Sequence, residues 1–274
     1  MSLFVNTNLP SLVAQNNLNA TQNSLQTSLE RLSTGLKINR GADGPAALVI
    51  SENMRAQIAS LNQGIQNTDK AVSFVQTSEG ALDKINQLLV KARTLALDSA
   101  NGPVDDQNSR NANDSELQNI INTINSIASN TKFNGSAPLS TNATYTFQIG
   151  PNSGDTASIA FSQITFSGLA ASGVSVSSVA GATAAITALD SAISSLTSYR
   201  GTLGAFQANT LQAYQDNLRV TLQNTTAAEA TIRDTDYSTE IANFTQLQVR
   251  LQAGGSVLGN ANQISQLAVQ LLRG

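Results

Sequence analysis

The chain contains no histidine, no cysteine and no tryptophan. Without imidazole or thiol it lacks the commonest general base, the best nucleophile and the usual transition-metal ligands. That excludes hydrolases of the Ser-His-Asp or Cys-His kind and ordinary zinc sites. The absence of cysteine is neutral between reducing and oxidising compartments, and it removes any risk of misbridging. Charge is scarce too: Asp, Glu, Lys and Arg make up 12% of the 274 residues, about half the share usual in a globular protein. A net charge of −3 and a pI near 4.9 argue against nucleic acid or an anionic membrane as partner. No run approaches the roughly eighteen consecutive apolar residues of a membrane span. The opening MSLFVNTNLP has neither the basic start nor the apolar run of a secretory signal. On these grounds alone the chain reads as cytoplasmic.

What is present is amide, hydroxyl and a long apolar rhythm. Leu18, Gln22, Leu25, Leu29, Leu32 and Leu36 follow the alternating four-three spacing of a heptad seam. Gly41, Gly44 and Pro45 interrupt it, and it returns in Met54, Ile58, Leu61, Ile65, Thr68, Val72 and Val75, running on through Leu82, Ile85 and Leu89 to Leu95. This predicts a very long helix, ended by Gly102 and Pro103. Ser115 and Glu116 then open a shorter one with Leu117, Ile121, Ile124 and Ala128 on one face. From Phe133 to about Ala180 the texture alternates, and TYTFQIG, ASIAFSQITF and GVSVSSV read as short strands and hairpins. Helix resumes near Ala182 and persists through Leu222. A second interruption, IRDTDYSTE, precedes a last helix carrying Phe244, Leu247, Leu251, Gly254 and Leu258, then Val257, Ala261, Ile264, Ala268 and Leu271. The fold class is mainly α: a long antiparallel bundle or coiled coil with a small β-hairpin region. Out along one terminal helix and back along the other, the chain brings its ends together, and two helices alone bury only part of each apolar stripe. Association with other copies follows.

No stretch carries a convincing catalytic or ligand site. The glycines of NRGADGP do not make a phosphate cradle, since no Gly-Lys-Ser/Thr follows, Asp43 would repel a phosphate, and no strand precedes them. Asp234, Asp236 and Ser238 begin like a calcium loop, but Thr239 stands where its glycine belongs and Thr245 where its closing Glu belongs; a helix cap and hinge is the better reading. The Asn-x-Ser/Thr triplets at Asn19, Asn142 and Asn224 are what chance supplies in so Asn-, Ser- and Thr-rich a chain.

The stretch LSTGLKINRGADGPAALVISENMRAQI resembles the signature of bacterial flagellins, in which LS-S/T-GL-K/R-IN leads through an Asp-bearing break into AISE-x-MRAQI. FVQTSEGALDKI and KARTLALDSANG are similar to the family's first core helix, TKFNG to its approach to the β region, YRGTLGAFQ to its returning helix, and IRDTDYSTEIANFTQLQVRLQAGGSVLGNANQ to its carboxyl-terminal segment. The Arg and Pro of NRGADGPAA depart from many flagellins and resemble the hook-filament junction proteins of the same architecture, which are the alternative reading.

The resemblance implies a structural filament subunit for motility, with no active site and no cofactor. A metallopeptidase insert is excluded by the lack of any HExxH. Residues 1–34 and 240–274 would form the inner coiled-coil domain, 35–45 and 232–239 the spokes, and 46–231 the core domain with its β region at about 133–180. The outer domains of larger flagellins are missing. The polymerisation seam would comprise Leu18, Leu25, Leu29, Leu32, Leu36, Phe244, Leu247, Leu251, Leu258, Ile264 and Leu271, and the spoke hinge Gly35, Gly41, Gly44 and Pro45. Implied partners are further copies of the chain, an export chaperone on the carboxyl-terminal helix, and the filament cap and hook-filament junction proteins. The location is the extracellular filament, reached through the flagellar type III apparatus without a cleaved signal peptide. Many flagellins are read by a vertebrate innate immune receptor through a pattern close to QRVRELAVQSAN. Here the stretch is VKARTLALDSAN: Arg93 and Leu95 match, Val90, Lys91, Thr94 and Asp98 depart, and Glu116 is the retained acidic partner. Recognition is expected to be weak or absent.

Overall fold

In the computed structural model, residues 8–102, 105–169, 171 and 173–273 are described, with the side chains of 264–273 left aside. Pro103, expected to stop the long helix, lies outside the described residues. The elements in chain order are α1 (Leu9–Thr34), a 3-10 turn (Gly41–Asp43), α2 (Pro45–Ser99), α3 (Gln107–Asn130), β1 (Ala143–Gln148), β2 (Thr156–Phe161), α4 (Val179–Ala205), a π segment (Phe206–Gln212), α5 (Ala213–Arg233) and α6 (Tyr237–Arg273). They divide into two compact units, residues 1–57 with 224–274 and residues 58–223.

The larger unit is a helical core with a hairpin. Leu82, Ile85, Leu89, Ala92 and Ala96 of α2, Leu117, Ile120, Ile124 and Ala128 of α3, and Ala185, Leu189, Ala192 and Leu196 of α4 are all buried. These sites recur every three or four residues, as one face of a helix requires. The stretch Val179–Arg233 is apolar and long enough to pass for a membrane span, and its first part, α4, packs one face into this core. β1 and β2 pair antiparallel with Tyr145 opposite Ile159 and Phe147 opposite Ala157, so alternate residues face inward. Phe74 of α2 fills the space above them, its ring 4.9 Å from Tyr145 and 5.3 Å from Phe161. Burial pushes the Tyr199 phenol up to about 12.

Two expectations change here. The short helix starts at Gln107, capped by Asp106 accepting from Ser109 N at 2.7 Å, and Ser115 sits inside it, its hydroxyl donating to Asn111 O. A serine in a helix can satisfy itself on the preceding turn, so it need not mark a start. The segment GVSVSSV is no strand. Its inward residues Val174 and Val176 are buried as expected, but its polar groups go to α3: Val176 N and Ser175 Oγ donate to Asp114, and Val174 O and Ser177 O accept from Gln118 and Gln107. With those partners the segment gains nothing from a sheet ladder.

Candidate functional site

The smaller unit is built on an antiparallel pair, α1 against α6. From Tyr237 to Gln263 the shielded residues of α6 are Glu240, Phe244, Leu247, Leu251, Gly254, Leu258 and Ala261, a strict four-three heptad alternation. Along α1 the matching series is Ser11, Ala14, Leu18, Thr21, Leu25, Ser28 and Leu32. Contacts fix the pairing: Asn8 Nδ2 donates to Ala261 O at 2.9 Å, Ser11 Oγ donates to Asn262 Oδ1 at 2.7 Å, and Ser28 Oγ donates to Glu240 Oε1 at 2.5 Å. A Cβ added at Gly254 would lie 3.1 Å from Leu18 Cδ1, so Leu18 packs directly onto the glycine. The expected seam is therefore shared at Leu18, Leu25 and Leu32 and displaced between them. Thr21 and Ser28 take the places read for Gln22 and Leu29, and Leu29 is 55% exposed. Val257 is likewise turned out while Ala261 is buried; Ile264 and Leu271 fall outside the side chains described. The sequence allowed either phase because the three shared leucines fit both.

The pair leaves apolar surface uncovered. Leu9, Leu12 and Val13, three and four residues apart on one face of α1, are at least half exposed, and Leu29, Ile241, Val249 and Val257 join them.

The breaks between the terminal helices and the rest fold on one another. Gly35 closes α1 in the left-handed region, φ +74°, where only glycine is at ease, with its N–H on Arg31 O. The next residues pair with the other break: Lys37 N donates to Arg233 O at 2.7 Å and Thr235 N to Gly35 O at 3.0 Å, with Leu36 opposite Asp234. Ile38 is buried. The Asp43 carboxylate accepts from Arg40 N and Asn39 N, and those bonds hold its pKa below the ordinary carboxylate range. Gly41 is exposed in the 3-10 turn, Gly44 is extended, and Pro45 opens α2. At the other break Asp236 caps α6, accepting from the Thr239 hydroxyl and from Thr239 N and Ser238 N, which lowers its pKa. Those bonds are what a helix cap makes. Glu52 is held ionised chiefly by Arg233, which donates to it at 2.7 Å, with Arg55 adding a second pair.

A coiled-coil pair with an uncovered apolar flank, closed by two mutually paired breaks, is where comparison with known proteins becomes informative. Residues 5–144 match the bacterial flagellin N-terminal helical region and residues 186–272 the bacterial flagellin C-terminal helical region. The chain belongs to the bacterial flagellin family. It is 36% identical to a flagellin of Halalkalibacterium halodurans over 99% of this chain and 100% of that one. It is 33% identical to the flagellar filament 33 kDa core protein of Treponema phagedenis, again over 99% and 100%. A crystal structure of Bacillus cereus flagellin superposes with a TM-score of 0.50 at 30% identity, covering 56% of this chain and 88% of that one. A flagellin is a structural filament protein and not an enzyme, so the chain is a filament subunit, and the junction-protein alternative is not favoured.

In this flagellin the receptor-like residues lie on α2 and α3 of the larger unit. Lys91 Nζ is 2.6 Å from Glu116 Oε1, and Arg93 pairs with Asp190 on α4, whose hydrogen bond raises the guanidinium pKa further. Asp98 accepts from Asn113 and the Thr94 hydroxyl donates to Lys91 O. Leu95 is packed against the core and Val90 is exposed. What sequence reasoning missed is the Ser28–Glu240 contact. Its signal was there: Glu240 is the one charged residue at a heptad position of the α6 series, and Ser28 lies at one in α1.

Proposed function

We propose that the terminal unit is the polymerising part of this flagellin, with α1 and α6 packing against the same helices of neighbouring copies. In this reading residues 1–34 and 240–274 are the inner coiled coil, 35–45 and 232–239 the spokes, and 46–231 the core domain. The observation that supports it is the uncovered flank: the α1–α6 pair uses one seam of each helix and leaves Leu9, Leu12, Val13, Leu29 and Val249 in water. Each such side chain is already about half covered, and covering the rest contributes about 1 kcal/mol, so the unassembled chain is driven to associate. Removing residues before about Ile50 and after about Ile232 yields a soluble chain that neither sediments nor forms filaments in electron micrographs. The full-length double variant Leu12→Asp, Val13→Asp behaves the same way. Filaments from either would overturn the reading.

The finer partners follow from family resemblance and from the same apolar helices. The subunit leaves through the flagellar type III apparatus as an unfolded chain and assembles between the junction proteins and the cap. A chaperone covers α6 beforehand, so Leu258→Asp abolishes its binding. Recognition by the innate immune receptor is weak: Lys91 cannot offer the planar multi-donor fork of an arginine, and Lys91 and Arg93 are already engaged by Glu116 and Asp190. Heat-depolymerised protein on reporter cells gives little signal; potency equal to a strongly stimulatory flagellin would overturn this.

A further inference from the structure

We infer that Glu240, held by Ser28 and Arg31, sets the register of the terminal helix pair. Among the described residues Glu240 is the one charged side chain that is buried, 8% exposed, and Ser28 opposite it is 3% exposed. The Ser28 hydroxyl donates to one carboxylate oxygen at 2.5 Å, and Arg31 Nη1 lies 3.9 Å from the other. Each charge also suits its own helix: Glu240 is in the first turn of α6 and Arg31 in the last turn of α1, where the macrodipoles favour an anion and a cation respectively.

The leucines of the seam cannot tell one register from the next, and Asn8 and Ser11 mark it only at the exposed far end of the pair. Leu18, Leu25 and Leu32 recur every seven residues, as do Phe244, Leu251 and Leu258. Sliding one helix by a heptad places Leu18 against Leu247 or Ala261 in place of Gly254, which keeps apolar against apolar but requires Leu18 to give by a few tenths of an ångström. The same slide takes Glu240 from Ser28 to Thr21, whose hydroxyl already donates to Asn17 O, or to Gly35, which has no side chain. In either case Arg31 is left behind and a carboxylate is stranded in the seam. A buried charge stripped of its partner is strongly penalised, and register selection is the best-attested use of buried polar groups in coiled coils. This inference concerns the pair within one chain and does not depend on polymerisation.

Because the chain has no cysteine of its own, register can be read by introduced pairs. Leu18→Cys is combined with Gly254→Cys for the native register, or with Leu247→Cys or Ala261→Cys for the slipped ones. Each full-length chain is oxidised both free and in pelleted filament, and intramolecular disulfides are mapped by peptide mass spectrometry; sedimentation is scored separately. In the native background only the 18–254 pair closes. With Ser28→Ala and Glu240→Leu, the slipped pairs close to a similar extent as the native pair. The exchanged variant, Ser28→Glu with Glu240→Ser, restores the native pair alone. Slipped pairs that stay open in the Ala–Leu background would show that the paired breaks fix the register by themselves and would overturn the inference. So would slipped pairs that close already in the native background, or a native pair that closes in neither free nor pelleted chain.

Discussion

Gly64 and Gly80 sit in the same helix, and nothing in the sequence around them says that they differ. In the structure a Cβ at Gly64 would lie 2.9 Å from Ile149 O, where α2 presses on the end of the hairpin, whereas at Gly80 it meets nothing within 4 Å. Gly64→Ala therefore destabilises by about 1–3 kcal/mol, since a core cannot absorb an extra methyl against backbone. Gly80→Ala stabilises by about 0.5–1 kcal/mol through helix propensity alone. Thermal unfolding of the two variants, followed by circular dichroism, separates them by sign. The glycines and proline of the first break were legible because backbone geometry there is local. Gly64 was not, because its constraint comes from residues far along the chain. Acid acts at single residues too. Asp43, Asp236 and Glu52 all have folded pKa values lowered from their ordinary 3.8, 3.8 and 4.5. A depressed folded value means stabilisation that is present above the unfolded value and lost as pH falls through the folded one. Below about pH 4 the amide shifts of Asn39, Arg40, Ser238 and Thr239 move together. Asp43→Asn removes the transition at Asn39 and Arg40 and leaves it at Ser238 and Thr239.

Among the elements, helices with a sustained apolar period were readable and their joins were not. The π segment Phe206–Gln212 continues α4 into α5 without a break. An i→i+5 turn has no compositional signature, so the stretch read simply as helix. The segment after Gly173 had the alternation of a strand and became a strap over α3, because pattern reports which residues are buried and not which partners the backbone finds. Asp114 is the residue that makes the strap: with Asp114→Ala, Val176 N and Ser175 Oγ lose their acceptor. Stability falls by about 1–3 kcal/mol, the range for an unsatisfied buried donor. Hydrogen exchange at Val176 accelerates, while that at Leu189 in α4 follows only the global loss. Equal acceleration at both would mean that Asp114 holds the whole unit and not the strap.

At the scale of the whole molecule, the palindromic order of helices and breaks was plain in the sequence, and the phase of the terminal seam was not. Leu18, Leu25 and Leu32 satisfied two phases equally, and the one taken puts Ser28 against Glu240, a residue more than two hundred positions along the chain. If the terminal helices form the subunit contact, as proposed, they also set how assembly responds to salt. In α1 the only charged residues are Glu30 and Arg31, and in α6 they are Glu240, Arg250 and Arg273. Glu30 is paired with Arg40, and Glu240 with Ser28 and Arg31. A surface with so few free charges has little electrostatic attraction for salt to screen, since only exposed charge pairs weaken as the Debye length shortens. On the proposed reading its association is driven by covering Leu9, Leu12, Val13 and their neighbours, which strengthens with excluded salts such as sulfate and shows a negative heat-capacity change. The critical concentration for filament growth, measured by light scattering, stays nearly constant as sodium chloride rises from low to physiological ionic strength. It falls when sulfate replaces chloride at equal ionic strength. A critical concentration that climbs steeply with sodium chloride would place charge pairs, and not the apolar flank of α1 and α6, at the centre of the subunit contact.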